Sequence, residues 1–494
     1  MAQSVLKVVD IKKSFAGVQA LKGVSLEIKA GEIHCLAGEN GSGKSTLIKI
    51  ISGVYTPDEG QIIFGDKVYS KITPIEAIRN GIQVIYQDFS IFPNLSVMEN
   101  LAFNEELANK RKLVNRKRMK KIAQEALAKI NFDVDLNAKV GSLSVASKQL
   151  IAICRALMLN ARLIIMDEPT TALTRKEVNA LFNIILDLKK QGIATLFVSH
   201  KLDEVFEISE RFTILRNGEK AAEGFTSELD NKKFTYYMTG REFEDKPFVP
   251  TNVSEDPVLS VENLSMNGFY ENVNFSLHRG EILGITGLLG SGRTELALSL
   301  FGIMQADTGT IKIDGEPVKL DSPETAINHG IGYVPEDRLT EGLFLPQSIG
   351  DNIIVSELDK LSSRLGIIDR DKKKEEIRQW VDKLSIATPN PDNACSTLSG
   401  GNQQRVVLAK WLSRDLKVLV LNGPTMGVDI GSKHDIHQIL RRLAEQGLGI
   451  IIISDDIPEI LTNCSKILIM RNGRISAALT PDEADTQVLA RYMM

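Results

Sequence analysis

The chain has 494 residues, of which 43% are hydrophobic and 25% are charged, so wholesale disorder is excluded and about two to four domains are expected. Its 59 Lys and Arg residues against 63 Asp and Glu residues give a net charge of −4, whereas a chain that binds nucleic acid throughout is usually strongly basic. We therefore expect no nucleic-acid partner. No apolar run is long enough to span a bilayer, and the four cysteines lie too far apart for a zinc or disulfide pattern. We expect a protein with reduced thiols that is soluble or peripheral to a membrane.

The chain repeats itself at long range. The segment that begins at Leu21, LKGVSLEIKAGEIHCLAGENGSGKSTL, is similar to YENVNFSLHRGEILGITGLLGSGRTEL, which begins at Tyr270, 249 positions later. Such a period is far too long for a solenoid, so it predicts two copies of one domain. The predicted organisation is a first domain at residues 1–240, an acidic, proline-containing linker at 241–257, and a second domain at 258–494.

Within each half, short apolar runs alternate with helical stretches. EIHCLAG, RLIIMDEP and IATLFVSH predict buried strands, and RKEVNALFNIILDLKKQG predicts an amphipathic helix that ends at Gly192. This alternation indicates an α/β fold, in which helices cover the faces of a sheet.

The first candidate site is the glycine-rich segment after EIHCLA. It fits the phosphate-loop pattern G-x-x-x-x-G-K-S/T between a strand and a helix, a context that disfavours the alternative of a chance glycine-rich turn. Backbone N–H groups and the helix N-terminus can bind phosphate oxygens there. We expect Lys44 to reach the β- and γ-phosphates and Ser45 to hold Mg²⁺. The predicted loop comprises Gly38, Glu39, Asn40, Gly41, Ser42, Gly43, Lys44, Ser45 and Thr46.

Four polar side chains end other predicted strands of the first half. Asp167 is expected to orient Mg²⁺ through water, and Glu168 to polarise the attacking water. Gln87 ends IQVIYQ and His200 ends TLFVSH, at the sheet edge where open α/β sheets bind ligands. Each of them alone would be an ordinary surface residue, whereas the set of four favours a catalytic site.

The order of these motifs, found twice, resembles that of ATP-binding cassettes. The resemblance implies two tandem P-loop NTPase domains, each with a mixed sheet core and a helical subdomain. With LSGGNQQ (398–404) and PEDR (335–338), the chain is similar to the ATP-binding subunits of bacterial monosaccharide importers of the ribose and galactoside type. By that resemblance Phe15 stacks on adenine, and Gln87 and His200 contact Mg²⁺ or water and the γ-phosphate. The signature of each cassette, LSVA (143–146) in the first half and LSGG (398–401) in the second, closes over the nucleotide held by the other.

The second half departs from the family pattern at its catalytic positions. Arg293 stands where Lys44 stands in the first half, and Gly423, without a side chain, cannot act as a base. The signatures show the opposite trend, since the first half has Val145 and Ala146 in place of two glycines. The predicted complete site adds Ser399, Gly400, Gly401 and Asp429 of the second half to the residues of the first. The predicted degenerate site comprises Gly287, Gly292, Arg293, Thr294, Glu336, Asn422, Gly423 and Asp455, with Ser144 of the first half. We expect the degenerate site to be binding-only or vestigial, and a purely structural second half stays open.

The resemblance implies an ATPase that energises import of a sugar or sugar-like molecule, with ATP and Mg²⁺ as cofactors. The implied partners are a dimeric membrane permease, docked near Gln87 and Glu336, and an extracytoplasmic solute-binding protein. The implied location is the cytoplasmic face of the inner membrane. A twin-cassette ATPase acting on ribosomes is the alternative, disfavoured by the short linker and by Gly423. The basic run 110–121 is interpreted as a solvated helix face, with anionic lipid and nucleic acid as alternative partners.

Overall fold

The chain forms two compact units, unit 1 (Met1–Phe243) and unit 2 (Glu244–Met494). The computed structural model describes residues 3–15, 17–86, 91–108, 115–130, 132–170, 173–199, 201–243, 246–363 and 367–493, without the side chains of 104–108. Across these ranges, no helix combines the length and the apolar character that a membrane span requires. In the predicted linker 241–257, Phe248 is buried, and its N–H donates to the carbonyl of Thr462 at 2.8 Å. The later part of that segment therefore packs on the core of unit 2.

Unit 1 consists of strands and helices that alternate along most of the chain, as predicted. Its strands are β1 (Ser4–Phe15), β2 (Val18–Lys29), β3 (Ile33–Ala37), β4 (Glu59–Phe64), β5 (Lys67–Tyr69), β6 (Ile82–Ile85), β7 (Leu163–Asp167), β8 (Ala194–Val198), β9 (Arg211–Arg216) and β10 (Glu219–Phe225). Its helices are α1 (Lys44–Ile51), α2 (Pro74–Arg79), α3 (Val97–Ala108), α4 (Arg116–Ala128), α5 (Val145–Met158), α6 (Arg175–Lys190), α7 (Leu202–Ile208) and α8 (Asn231–Thr239).

Two sheets organise unit 1. The larger has the order β10-β9-β3-β8-β7-β6; it is parallel from β9 to β6, and β10 joins its edge antiparallel. The smaller, β2-β1-β4-β5, is antiparallel. Strands β3 and β8 are buried along their whole length, as expected for central strands with helices on both faces. The predicted strands at β3, β7 and β8 and the predicted helix at α6 are confirmed.

A helical region separates β6 from β7 in unit 1. In α4, the apolar residues Met119, Ile122, Ala123, Ala126 and Leu127 repeat at helical spacing and are buried against α3 and α5. The opposite face of α4 exposes lysine side chains of the basic run 110–121, consistent with a solvated helix face. The first part of that run, 110–114, lies outside the described residues.

Unit 2 repeats this architecture. Its strands are β11 (Pro257–Met266), β12 (Tyr270–His278), β13 (Ile282–Gly287), β14 (Thr308–Ile313), β15 (Glu316–Val318), β16 (Ile331–Val334), β17 (Val418–Asn422), β18 (Gly449–Ile453), β19 (Lys466–Arg471) and β20 (Arg474–Leu479). Its helices are α9 (Arg293–Leu300), α10 (Pro323–Asn328), a π-helical turn (Arg338–Gly342), α11 (Ile349–Ile354), α12 (Leu358–Leu361), α13 (Arg370–Lys383), α14 (Gly400–Leu412), α15 (Ile430–Glu445), α16 (Ile457–Asn463) and α17 (Thr486–Met493).

The sheets of unit 2 have the same strand order as those of unit 1. The larger sheet, β16-β17-β18-β13-β19-β20, is the counterpart of β6-β7-β8-β3-β9-β10, and the smaller is β12-β11-β14-β15. The predicted duplication of one α/β domain is therefore confirmed. All four cysteines are buried and free, as the sequence predicts. Burial raises the pKa of Cys35 and of Cys154 to about 12, so these thiols stay protonated at neutral pH.

Candidate functional site

The phosphate loop of unit 1 connects β3 to α1, the strand–loop–helix context that the sequence predicts. Lys44, the first residue of α1, is 7% exposed. Its Nζ donates to the carbonyls of Gly38 (2.6 Å) and Glu39 (2.9 Å), so the ammonium folds back over the loop. The hydroxyl of Ser42 is buried in the same loop and has no hydrogen-bond partner among the described residues. A buried hydroxyl without a partner is uncommon and fits a loop built around a polar ligand.

The loop and the end of β7 enclose one cavity. Its volume is about 460 Å³. Because parallel strands end at the same edge of the sheet, Asp167 at the end of β7 and Glu168 directly after it meet the phosphate loop there. The lining residues are Ala20, Asn40, Gly41, Gly43, Lys44, Ser45, Thr46, Asp167 and Glu168. Eight of these nine, all but Ala20, are among the predicted site residues, which the sequence places on two separate segments.

The charges in this cavity favour a cation. Burial, and then the neighbouring Glu168 carboxylate, raise the pKa of Asp167, although Lys44 and Lys49 oppose the shift. The oxygens of Ser45 and Asp167 are ligands of the kind that Mg²⁺ prefers. No group of three or more His, Cys, Asp or Glu side chains arranged to hold a metal occurs in the part of the chain that the structure describes. The oxygens of Ser45 and Asp167 are thus the groups in this cavity whose chemistry fits Mg²⁺.

Glu168 has an unusual backbone conformation. Its φ is 49°, in the left-handed region, and its N–H donates to the carbonyl of Val198 at 3.1 Å. The residue at the same place after β17 in unit 2 is Gly423, with φ 61° and an N–H bonded to the carbonyl of Ile453 at 2.8 Å. A non-glycine residue costs free energy in this region, and such strain concentrates at functional sites. The carboxylate in unit 1 is therefore kept at a position where glycine is the relaxed choice.

The phosphate loop of unit 2 has a different internal arrangement. Arg293, the first residue of α9, is 7% exposed, and its guanidinium Nη2 lies 3.6 Å from a carboxylate oxygen of Asp455. Its Nη1 is buried and finds no hydrogen-bond partner among the described residues. Asp455 stands in the sequence where the first half has His200. Arg293 and Asp455, which stand where the first half has Lys44 and His200, thus form an ion pair with each other.

The strand end in unit 2 lacks the acidic pair of unit 1. Asn422 is buried and hydrogen-bonds the side chain of Tyr333. Burial raises the pKa of Tyr333 to about 12. Gly423 follows Asn422, and the exposed Glu336 passes close, since a Cβ on Gly423 would lie 3.4 Å from its Cγ. The neutral amide of Asn422 and Gly423, which has no side chain, cannot act as a general base.

The two signature segments also differ in structure. Ser144 caps α5 by accepting the N–H of Ser147 at 3.2 Å. Ser399 precedes α14 without a side-chain cap bond, and its hydroxyl accepts from the amide of Asn402 at 3.0 Å. A Cβ on Gly401 would lie 2.2 Å from the hydroxyl oxygen of Ser432 on α15, so close packing of two helices requires this glycine.

The D-loop is the segment that connects the strand tip to the next helix, residues 423–429 in unit 2, and its last residue is a helix cap in both units. Asp429 accepts the N–H of Ser432 at 2.8 Å at the start of α15, and Thr174 forms a capping box with Glu177 at the start of α6. Unit 1 therefore retains the cap and loses the acidic side chain.

The sequence profile described as ABC transporter matches residues 21–171 and 270–426. The chain belongs to the ABC transporter family. Each unit is one cassette, matching the duplicated architecture.

The ribose import ATP-binding protein RbsA of Clostridium perfringens (strain 13 / Type A) is 42% identical over 98% of this chain and 97% of its own length. RbsA of Bacillus subtilis (strain 168) is 40% identical, with 96% of both chains covered. A solved ATP-binding cassette of an ABC transporter in its ADP conformation is 31% identical and covers 47% of this chain and 95% of its own, with a TM-score of 0.43.

Outside the phosphate loop, three residues of the first cassette that are predicted for the complete site are not among the residues that line the cavity. Gln87 and His200 are outside the described residues. Phe15, at the end of β1, is 40% exposed, and its ring lies 5.2 Å from that of Tyr55 in an edge-on arrangement. The Nζ of Lys13 lies 5.4 Å from the centre of the same ring, and stacking of Phe15 on adenine stays a prediction.

Sequence reasoning missed a buried carboxylate in each cassette. Glu204 on α7 accepts hydrogen bonds from Thr170, two residues after Glu168, at 2.7 Å and from Ser199, directly before His200, at 2.9 Å. In the second cassette, Glu459 accepts from Thr425 at 2.6 Å and from Ser454 at 2.6 Å. All three residues recur at the offset of 255, so an identity shared by both halves was the available signal.

Proposed function

We propose that this chain hydrolyses ATP at the cavity of unit 1 and that this reaction energises import of a sugar or sugar-like molecule through a separate membrane permease. The observation that carries the proposal is the meeting of Lys44, Ser45, Asp167 and Glu168 around one cavity. An ABC ATPase coupled to transport needs these groups on one nucleotide.

The chemistry assigned to the residues follows from their positions. Lys44 exchanges its two backbone carbonyl partners for phosphate oxygens when ATP binds. Glu168 holds the attacking water and accepts its proton while the bond between the γ-phosphorus and the bridging oxygen breaks. Gln87 and His200 are assigned to the water, the ion and the γ-phosphate by family resemblance.

Ser45, Asp167 and Gln87 are proposed to hold Mg²⁺ with the phosphates. The ion supplies positive charge against the negative charge that develops on the transferred group. The raised pKa of Asp167 supports this role, because a bound cation offsets the cost of keeping that buried carboxylate ionised.

We propose that one site turns over and the other does not. In this proposal the catalytic groups of unit 1 act with Ser399, Gly400, Gly401 and Asp429 of unit 2. The second phosphate loop binds nucleotide without hydrolysing it, because Asn422 and Gly423 offer no general base.

The cargo and the partners are proposed from the relatives. Two proteins that this chain matches over 96% or more of its length are named ribose import ATP-binding proteins, which supports a monosaccharide-like cargo. The proposed partners are a permease dimer and an extracytoplasmic solute-binding protein, with this chain at the cytoplasmic face of the inner membrane. The alternative of action on ribosomes finds no support in these names.

The proposal is tested by recovering the tagged full-length chain from detergent-solubilised membranes of its native host and identifying co-purified proteins by mass spectrometry. We expect a multispanning permease in stoichiometric amount, and ATPase activity of the recovered complex that the Lys44→Ala variant lacks. Recovery of ribosomal proteins without a permease would refute the transport assignment.

A further inference from the structure

Arg338 connects three motifs of unit 2. Its Nη1 donates to the carbonyl of Met426 at 2.6 Å and its Nη2 to the carbonyl of Gly427 at 3.2 Å, both in the D-loop. Its Nε lies 3.5 Å from the side-chain oxygen of Gln403, in the first turn of α14 after the signature. Arg338 itself begins the π-helical turn that follows PED. One guanidinium thus joins the segment after β16, the signature helix and the D-loop.

The π-helical turn is attached to the signature helix at its other end as well. Lys410, two turns further along α14, donates from Nζ to the carbonyl of Gly342 at 2.8 Å. Asp337 caps the turn, accepting the N–H of Leu339 at 2.9 Å and that of Thr340 at 3.3 Å. The turn therefore lies along α14 as one hydrogen-bonded body rather than as a loose loop.

The glycines of the signature fit this arrangement. A Cβ on Gly400 would lie 2.7 Å from Nη2 of Arg338, so the first signature glycine leaves room for the guanidinium. In the first half, Val145 stands at the corresponding place, and Phe89 follows the counterpart of Asp337 in the sequence. The arginine and the glycine beside it thus occur together in the half that keeps LSGG, and both are replaced in the other half.

The D-loop is also held at Thr425, which donates to the buried Glu459 at 2.6 Å, and at Asp429, which caps α15, whereas the stretch between them is less constrained. Met426 is 60% exposed, and its N–H bonds locally to the carbonyl of Gly423 at 3.1 Å. The N–H of Val428 likewise donates to the carbonyl of Thr425 at 3.2 Å. A planar guanidinium that donates to two successive carbonyls fixes both the position and the tilt of this loop, whereas a single donor fixes only one point.

We propose that Arg338 is a positioning residue that holds the D-loop and the signature turn of unit 2 in one fixed arrangement, and that the rate of ATP hydrolysis depends on that arrangement. The inference rests on the proposed function, in which Ser399 to Gly401 and Asp429 act with the catalytic groups of unit 1. Arg338 touches no nucleotide in this account. It acts through the backbone of Met426 and Gly427.

The test uses the full chain with its permease and measures kcat and KM for ATP and the thermal midpoint. Arg338→Met keeps the length of the side chain and removes all donors. We expect kcat to fall about ten- to a hundred-fold, the scale of a misplaced catalytic group, with KM for ATP changed less than two-fold. Arg338→Lys, with one compact donor group, should recover part of the loss.

Arg405→Met is the matched control. Arg405 also donates from Nη1 to two successive carbonyls, those of Leu384 (3.2 Å) and Ser385 (2.6 Å), which follow α13. Its Nη2 pairs with Asp435 inside α15 at 2.7 Å, and none of these contacts is to a carbonyl of the D-loop. We expect this variant to lower the thermal midpoint and to leave kcat within about two-fold. Equal kcat values for Arg338→Met and Arg405→Met would overturn the inference.

A third variant separates this inference from the function on which it rests. Ser399 is exposed, so Ser399→Arg obstructs the signature without disturbing the core. Full activity of Ser399→Arg would refute the proposed role of the signature itself. Loss of activity in Ser399→Arg with full activity in Arg338→Met would refute only the positioning role of Arg338.

Discussion

Glu168 and Gly423 occupy the same place in the two cassettes, directly after the strand that carries the acidic or amide tip. Both adopt positive φ, 49° and 61°, and both donate their N–H to the neighbouring strand end. The backbone requirement is therefore shared, while only Gly423 meets it without strain. We predict that Glu168→Gly and Gly423→Ala change the stability of the chain in opposite directions.

The expected magnitude follows from two opposing free-energy terms. A residue with a Cβ raises the free energy of the folded state by about 1–2 kcal/mol when it adopts the left-handed conformation. Glycine loses about 0.5–1 kcal/mol more conformational entropy on folding. Glu168→Gly should therefore stabilise by about 0.5–1 kcal/mol, and Gly423→Ala should destabilise by a similar amount. The space around Gly423 adds little, since the nearest atom to an added Cβ is 3.4 Å away. For units of this size, such changes shift the thermal midpoint by about 1–4 °C.

The assay is differential scanning calorimetry of the full chain, with ATPase activity measured on the same preparations. Glu168→Gln is the control, because it retains the strained backbone and removes only the charge, so its midpoint should match the parent. Both Glu168 variants should lose ATPase activity, while Glu168→Gly gains thermal stability. A lower midpoint for Glu168→Gly, or a higher one for Gly423→Ala, would refute the argument from backbone strain.

Three further predictions concern unit 2. Asp455→Asn removes the ion pair of Arg293 and should raise nucleotide affinity there about two- to five-fold in fluorescent-nucleotide titrations on a Lys44→Ala background; a decrease would contradict it. Burial raises the pKa of Glu459, but His437, Lys433 and Ser454 together lower it from 4.5 to about 2, so the contribution of Glu459 to stability is present above pH 4.5 and is lost as pH falls toward 2. Glu459→Gln should therefore flatten the fall of the thermal midpoint with pH in that window, and an unchanged slope would refute this. Gly401→Ala should cost about 1–3 kcal/mol of overpacking against Ser432, and Ser432→Gly in the same chain should restore the calorimetric midpoint.

Much of the fold and of the first site could be predicted from local sequence patterns. The strand before the phosphate loop, the strand that ends in Asp167 and the duplication at an offset near 250 are all visible in the sequence, because apolar runs and glycine spacing report backbone structure directly. The structure then brings Lys44, Ser45, Asp167 and Glu168 to one cavity, as these patterns predict.

Other features depend on contacts between distant segments and leave no local pattern. The sequence offers no reason why Gly401 must lack a side chain until Ser432 on α15 is seen against it. Likewise, the pairing of Arg293 with Asp455 joins residues on two loops, and each alone is only a departure from a motif. Glu204 is buried where the loop at Thr170 and the loop at Ser199 meet, and it accepts a hydrogen bond from each of these residues.

The central claim is that only one of the two cassettes hydrolyses ATP. It is tested most directly by the steady-state ATPase activity of the chain with its permease, comparing Glu168→Gln with Asn422→Ala. We predict that Glu168→Gln abolishes turnover, because the general base is lost, and that Asn422→Ala retains most of it. Near-full activity of Glu168→Gln would contradict the account.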